Sequence, residues 1–361
     1  MALPWNRART LPFPLDRTSL RSYYLARNGI YALARAWNLR NSEVLFPAYC
    51  HGVEVETLLA AGVKLQFYPV GLDMRVDVEN IVSRLSPQTK AVYLIHYLGF
   101  PGPVEELSQV CQERGLLLIE DCALALLSRL GNKPLGCFGD AAVFCFYKTL
   151  PAPHGGALLM RSPESAPSPA SDSPPLISTL AYSATAVWRH LNFNRGRLHG
   201  LLQNLRNSAR SMSDALGVVP VGQRHFDPAQ VHLSMSWLSQ WITTGQDFQE
   251  IVENRRRNYL HLLNRLRNLA PPVFSELPPG VCPLFYPLRT CDKPTILQGL
   301  FQGGVEAVNF WSIIPDAIPP GAFPAADELR RTIVELPCHQ DLTPDTMDRI
   351  ADLVCGLRRA L

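Results

Sequence analysis

Between residues 43 and 160 the chain repeats one arrangement: a short, continuously apolar run, a polar end, then a segment with helical spacing. The runs EVLFPAY (43–49), KLQFYPV (64–70), AVYLIH (91–96) and residues 116–119 read as strands. Residues 53–61, 76–85 and 103–114 read as the helices between them. Gly62 stops the first; Pro103 opens the third, and Gly115 lies beyond its end. Strands apolar on both sides and separated by helices predict a mainly parallel sheet covered on both faces, an α/β fold. In such sheets ligands bind beyond the carboxyl ends of the strands, where this reading puts His51, His96, Asp121 and Lys148.

The remaining segments fit around this unit. Residues 1–22 look like an extended arm with Pro4, Pro12 and Pro14, and a helix follows with Asn28 as its N-cap. Residues 162–175 (SPESAPSPASDSPP) read as a flexible Ser/Pro-rich surface loop, and 176–216 as helical in composition. Residues 248–269 form an amphipathic helix, whose Arg255-Arg256-Arg257 run is expected on a solvated or ion-paired face. Strand 284–288, helix 296–301, strand 305–310 and a closing helix capped by Thr343 and Pro344 complete a small α/β unit. The expected division is an arm plus large domain, 1–245, and a small domain, 246–361.

With 47% hydrophobic and 18% charged residues, the 361-residue chain can bury a sizeable core. A net charge of +3 gives a nucleic-acid binder no electrostatic footprint. Nine scattered cysteines without a CxxC pair point to a reducing compartment, and no metal site is expected. Neither a signal-like apolar segment at the start nor a membrane-length apolar run is seen, so a cytoplasmic protein is expected.

Chemistry concentrates in LLLIEDCALALL and GDAAVFCFYKTLPAPHGGALLM. Of five lysines, only Lys148 ends an apolar strand-like run; Lys64 and Lys90 flank strand starts, and Lys133 and Lys293 sit in turns. Asp121 ends the neighbouring run. A buried lysine and a buried acid at adjacent strand ends suit pyridoxal 5′-phosphate (PLP), which takes a lysine at its aldehyde and an acid at its ring nitrogen. An acidic pair capping a helix near Cys122 is the plainer alternative for Glu120 and Asp121. His51 stands where an aromatic ring can stack on a flat cofactor, or is an ordinary hydrogen-bonded loop histidine, and His96 stands where it can cap the loop it opens. The helix start near Leu25-Ala26-Arg27 offers free N–H groups and a cation for a phosphate, or is simply a capped surface helix.

Together with FPAYCHGVEVETLLAAGVKLQFYPV, DVENI…SPQTKAVYLIHYLGFPG and the closing ELPCHQDLTPDTMDRI, these segments resemble the DegT/DnrJ/EryC1/StrS family of PLP-dependent sugar aminotransferases. That family has the aspartate-aminotransferase-like fold type I. The resemblance implies Lys148 as the Schiff-base lysine, Asp121 as the ring-nitrogen partner and His51 as the stacking residue. Ala26, Arg27 and Asn28 match its phosphate-binding turn, and Cys145 falls where relatives place a phosphate-binding serine. His232 lies near the position from which a second subunit reaches the cofactor, implying a homodimer. Leu124 stands where the family has Gln or His, His154 where it has an acid, and the loop after Lys148 is shorter than usual. The implied activity is transfer of an amino group from an amino acid, glutamate by expectation, to a nucleotide-linked keto sugar. A PLP enzyme for a non-sugar substrate, or a non-catalytic protein of this fold, is the alternative that those departures motivate.

Overall fold

The computed structural model describes residues 10–179 and 225–361. Among the described residues, seven strands form the main sheet: β1 (Arg21–Tyr23), β2 (Glu43–Pro47), β3 (Lys64–Tyr68), β4 (Thr89–Ile95), β5 (Leu117–Asp121), β8 (Ala141–Cys145) and β9 (Gly156–Met160). Their order is β1-β9-β8-β5-β4-β2-β3. Strands β8, β5, β4, β2 and β3 pair in parallel, while β9 runs antiparallel between β8 and β1. A two-residue hairpin, β6 (Arg129–Leu130) with β7 (Lys133–Pro134), sits between β5 and β8. The sheet is therefore mainly parallel, as the apolar runs predict. Helices α1 (Ala26–Ala36), α2 (Val53–Ala60), α3 (Val78–Val82) and α4 (Val104–Arg114) lie near the expected places. Gly115, at φ 66°, ends α4 in the left-handed conformation that glycine adopts without strain.

This topology fixes one edge. The carboxyl ends of the parallel strands, the start of antiparallel β9 and the exit of β1 into α1 all meet there. A Cβ on Gly156 would overlap the backbone of Leu25 and Ala26, so the glycine lets the first turn of α1 rest on β9. Gly99 similarly admits the Cys282 carbonyl, which brings the 278–284 segment against the main sheet. That segment leads into a second sheet, ordered β10 (Phe285–Arg289), β12 (Ile333–Pro337), β11 (Val308–Asn309). The helices Phe248–Leu266, Lys293–Gln302 and Pro344–Gly356 pack around it. Asp247, Asp292 and Thr343 each accept an N–H three residues on, so the expected cap at Thr343 is present.

Several expectations are corrected. Helix α1 starts at Ala26, before Asn28, and its N-cap Leu25 makes no side-chain bond; the Asn28 amide instead donates to the Gln230 carbonyl at 2.7 Å. No helix forms at Cys122. Arg255 is 2% exposed and donates to backbone carbonyls, so the arginine run is not simply a solvated face. Lys293 is buried at a helix start and donates to the carbonyls of Phe310 and Arg330. The Ser/Pro-rich loop is exposed but anchored: Asp172 bridges to Leu233, and Arg21 Nε donates to the Pro167 carbonyl. The expected helical stretch 176–216 lies mostly outside the described residues, as does the start of the arm.

Candidate active site

Lys148 lies in the four-residue helix α5 (Phe146–Thr149), which leaves β8 at the shared edge. Asp121 ends β5, the neighbouring strand, and is 3% exposed. Its Oδ2 accepts the Tyr93 hydroxyl at 2.7 Å, and its Oδ1 accepts the Ala123 N–H at 2.8 Å. Burial, followed by the charge of Glu54, raises the Asp121 carboxyl above its usual range; Tyr93, Ala123 and Lys148 oppose that rise. A carboxyl in this state gains from a cationic partner, and each oxygen keeps acceptor capacity beyond its single bond.

The predicted phosphate turn is at the same edge. Ala26, Arg27 and Asn28 form the first turn of α1, and Arg27 Nη1 donates to the His225 carbonyl at 2.8 Å. Cys145 is buried at the end of β8, directly opposite Gly156. Burial pushes its thiol up, while Lys148 and the Tyr147 hydroxyl pull it down. His51 follows β2, and its neighbour Tyr49 is wholly buried against Tyr97 and Trp311. His232 is half-exposed, and its Nε2 lies 3.4 Å from Asp172 Oδ2. Leu124 is buried.

His154 is buried with its ring 4.3 Å from that of Tyr24, and burial lowers it to about 4, so it is neutral at pH 7. The unfolded chain binds that proton near pH 6.5. Its contribution to stability is therefore whole above about pH 6.5 and is lost as pH falls through about 4. Urea melts between pH 7 and 4 should show a fall of about 2 kcal/mol less in His154→Gln than in the parent chain.

Glu120, beside Asp121, is spent on structure. Its oxygens accept the N–H groups of Gly136 (2.8 Å), Phe138 (2.7 Å) and Gly139, and His96 Nε2 lies 3.1 Å away. His96 Nδ1 accepts the Gly102 N–H, which leaves Nε2 to carry the proton toward Glu120 and closes the 96–102 loop as predicted. His96, Glu120 and Cys122 offer three atoms within 4.8 Å of one another. The hydrogen bonds already made by His96 and Glu120 account for that cluster without an ion.

Sequence reasoning missed four contributors. Tyr93 looks like any core tyrosine until the β4–β5 register sets its strand beside that of Asp121. Glu54 is 7% exposed, and its Oε2 has no hydrogen-bond partner among the described residues. An acid three residues after His51, on the inner face of α2, is the signal that could have found it. Glu335 on β12 is 2% exposed; burial raises its carboxyl well above the usual range, and Lys148 then Lys293 pull it back. Gln340 donates to the Thr149 carbonyl, one residue from Lys148.

Residues 28–169 match the profile of the DegT/DnrJ/EryC1/StrS aminotransferase family. Among curated proteins, a GDP-perosamine synthase of Vibrio cholerae is 32% identical over 142 residues, 37% of this chain and 39% of that protein. A dTDP-4-dehydro-2,3,6-trideoxy-D-glucose 4-aminotransferase of Saccharopolyspora spinosa is 32% identical over 34% of this chain and 32% of its own. The chain thus spans between about a third and two-fifths of the length of these relatives. The erythromycin biosynthesis sensory transduction protein EryC1 of Saccharopolyspora erythraea matches more widely, at 23% identity over 88% of this chain and 80% of that one. Among solved structures, the aminotransferase TlmJ from Streptoalloteichus hindustanus superposes with a TM-score of 0.66 at 21% identity, covering 94% of this chain and 86% of that one. AtS13 from Actinomadura melliaura gives 0.67 at 18% identity, with 95% and 87% covered. The shared fold extends over both sheets.

Proposed function

We propose, from the match of residues 28–169 to the DegT/DnrJ/EryC1/StrS aminotransferase profile, that the whole chain is a PLP-dependent aminotransferase acting on a nucleotide-linked keto sugar. The observation that carries this reading is the pair Lys148 and Asp121, at the ends of adjacent strands and beside the first turn of α1. When bound, PLP supplies an aldehyde for a primary amine and a ring that withdraws electrons from the carbon bearing the transferred amino group.

The chain's own residues do the rest. Asp121, steadied by Tyr93 and Ala123, would supply the negative charge that the ring nitrogen needs. The first turn of α1, which holds Ala26, Arg27 and Asn28, would hold the phosphate together with Cys145. His51 would lie against the ring face. Lys148 would hold the cofactor through its amine and would move a proton at the substrate carbon as general acid and base. His232, with its half-exposed ring, would serve the site of a second copy in a homodimer. Residues 1–245 would form the cofactor-binding domain and 246–361 the smaller one. Glutamate is the proposed donor, and a cytoplasmic location the setting.

Incubating the PLP-reconstituted protein with glutamate and a set of nucleotide-linked keto sugars should release 2-oxoglutarate with at least one of them. No release with any sugar removes this proposal. Asp121→Asn keeps the shape but not the charge. Turnover should fall on the order of 10²-fold, and PLP affinity, read by fluorescence titration, should weaken with it.

A further inference from the structure

The residue after Lys148 is held from the far side of the molecule. The Thr149 carbonyl ends helix α5, where the last turn has no backbone donor of its own. Two side chains supply donors: Arg255 Nη2 at 3.1 Å and Gln340 Nε2 at 3.3 Å. Arg255 Nε also donates to Gln340 Oε1 at 2.8 Å, so the three groups close a ring of hydrogen bonds. The remaining Arg255 nitrogen donates to the carbonyls of Pro283 (3.2 Å) and Leu284 (3.0 Å), where the chain enters the second sheet. Asn258, on the same long helix as Arg255, donates from Nδ2 to the His339 carbonyl at 2.9 Å and fixes the backbone just before Gln340. A guanidinium carries its donors at every accessible pH, and its planar fork leaves little rotational freedom once bonded.

We propose that Arg255 and Gln340 are positioning residues for Lys148: by holding the Thr149 carbonyl they set the direction in which the lysine amine leaves α5. The proposal rests on the aminotransferase reading for its consequence in catalysis, but its geometry concerns the lysine alone. Residues outside the main sheet thereby fix the group that must meet a carbon bound at the sheet's edge. A displacement of the amine of about 1 Å is worth roughly 10²-fold in rate.

Gln340→Glu is the discriminating variant. Its carboxylate still accepts from Arg255 and keeps the link between the elements, but it cannot donate to the Thr149 carbonyl and repels it. Gln340→Met, which makes neither bond and is similar in length, is the second variant should the first fold poorly. The first readout uses the protein without cofactor: acetic anhydride labelling of each lysine across pH, followed by mass spectrometry. Lys148 should change its labelling rate on the order of 10-fold, while Lys64 and Lys90 stay as in the parent chain. The second readout is the rate of borohydride-trappable attachment of PLP to Lys148, which should fall by a similar factor. The third is turnover with glutamate, where kcat should fall with little change in KM. Unaltered Lys148 labelling and attachment in a folded variant overturn the proposal. Labelling and attachment shifts in a protein that turns over no sugar uphold the positioning role while removing the aminotransferase reading.

Discussion

Lys148→Ala should leave a folded protein that binds PLP without attaching it and transfers no measurable amino group. The side chain is only half-buried on a four-residue helix, so its removal takes little packing from the core. The melting temperature of the apoprotein should move by no more than a few degrees. What disappears is a primary amine that no neighbour can replace. Of the four other lysines, Lys64 and Lys90 lie at strand starts, on the opposite edge of the sheet. Lys133 lies over the Phe138 ring. Lys293 is the rival the sequence did not suggest: burial lowers its ammonium to about 8, which would suit a reactive amine. Its nitrogen is nevertheless engaged by the Phe310 and Arg330 carbonyls, at 3.1 and 2.9 Å. Loss of a positioned acid–base group alone costs roughly 10²–10⁴-fold, and loss of covalent attachment adds to it. Borohydride reduction followed by peptide mapping reads the attachment, and 2-oxoglutarate release reads the turnover. Attachment that survives in Lys148→Ala and vanishes in Lys293→Ala would reverse the assignment.

What the sequence made legible follows from how each feature is encoded. Burial on both faces forces a strand to be apolar throughout, so the parallel strands were readable to within a few residues. Their polar ends pointed to the edge where Asp121 and Lys148 meet. Contacts between distant segments leave no such trace. Asn28 looked like an N-cap because its type suits one, yet its amide crosses to Gln230, a partner 202 residues away. Arg255 sits in a run that reads as solvated, and only the fold shows that Thr149 and Leu284 supply it with carbonyls. Glu54 and Glu335 are buried acids whose neighbours come from other elements, so neither has a local signature. The sequence thus showed the elements and the two chemical ends, but not the side chains that hold those ends in place.

Glu120→Gln should be among the most destabilising single changes in this chain, at about 3–5 kcal/mol. Glu120 is fully buried between Asp121 and the loop that leads to β8. Burial by itself would raise its carboxyl, but the His96 contact and the N–H groups of Gly139 and Gly136 outweigh that and hold it below the usual carboxylate range. An amide in its place can accept at one oxygen only. Its NH₂ group would face backbone N–H groups that also need acceptors, leaving donors buried against donors. The sign of the pH dependence follows from the lowered value. The stabilisation is whole above about pH 4.3, the ordinary glutamate value, and is lost as pH falls through the folded one. Urea melts of parent and variant should therefore lie far apart at pH 7 and draw together as the pH is lowered past 4. A constant gap across that range would mean that packing, not the carboxylate charge, is what Glu120 contributes. The same variant should weaken PLP binding, because the strand that fixes Glu120 also ends in Asp121. That coupling makes the acid pair at 120 and 121 one unit, in which one carboxylate anchors the loop and, on the proposed function, the other would face the ligand.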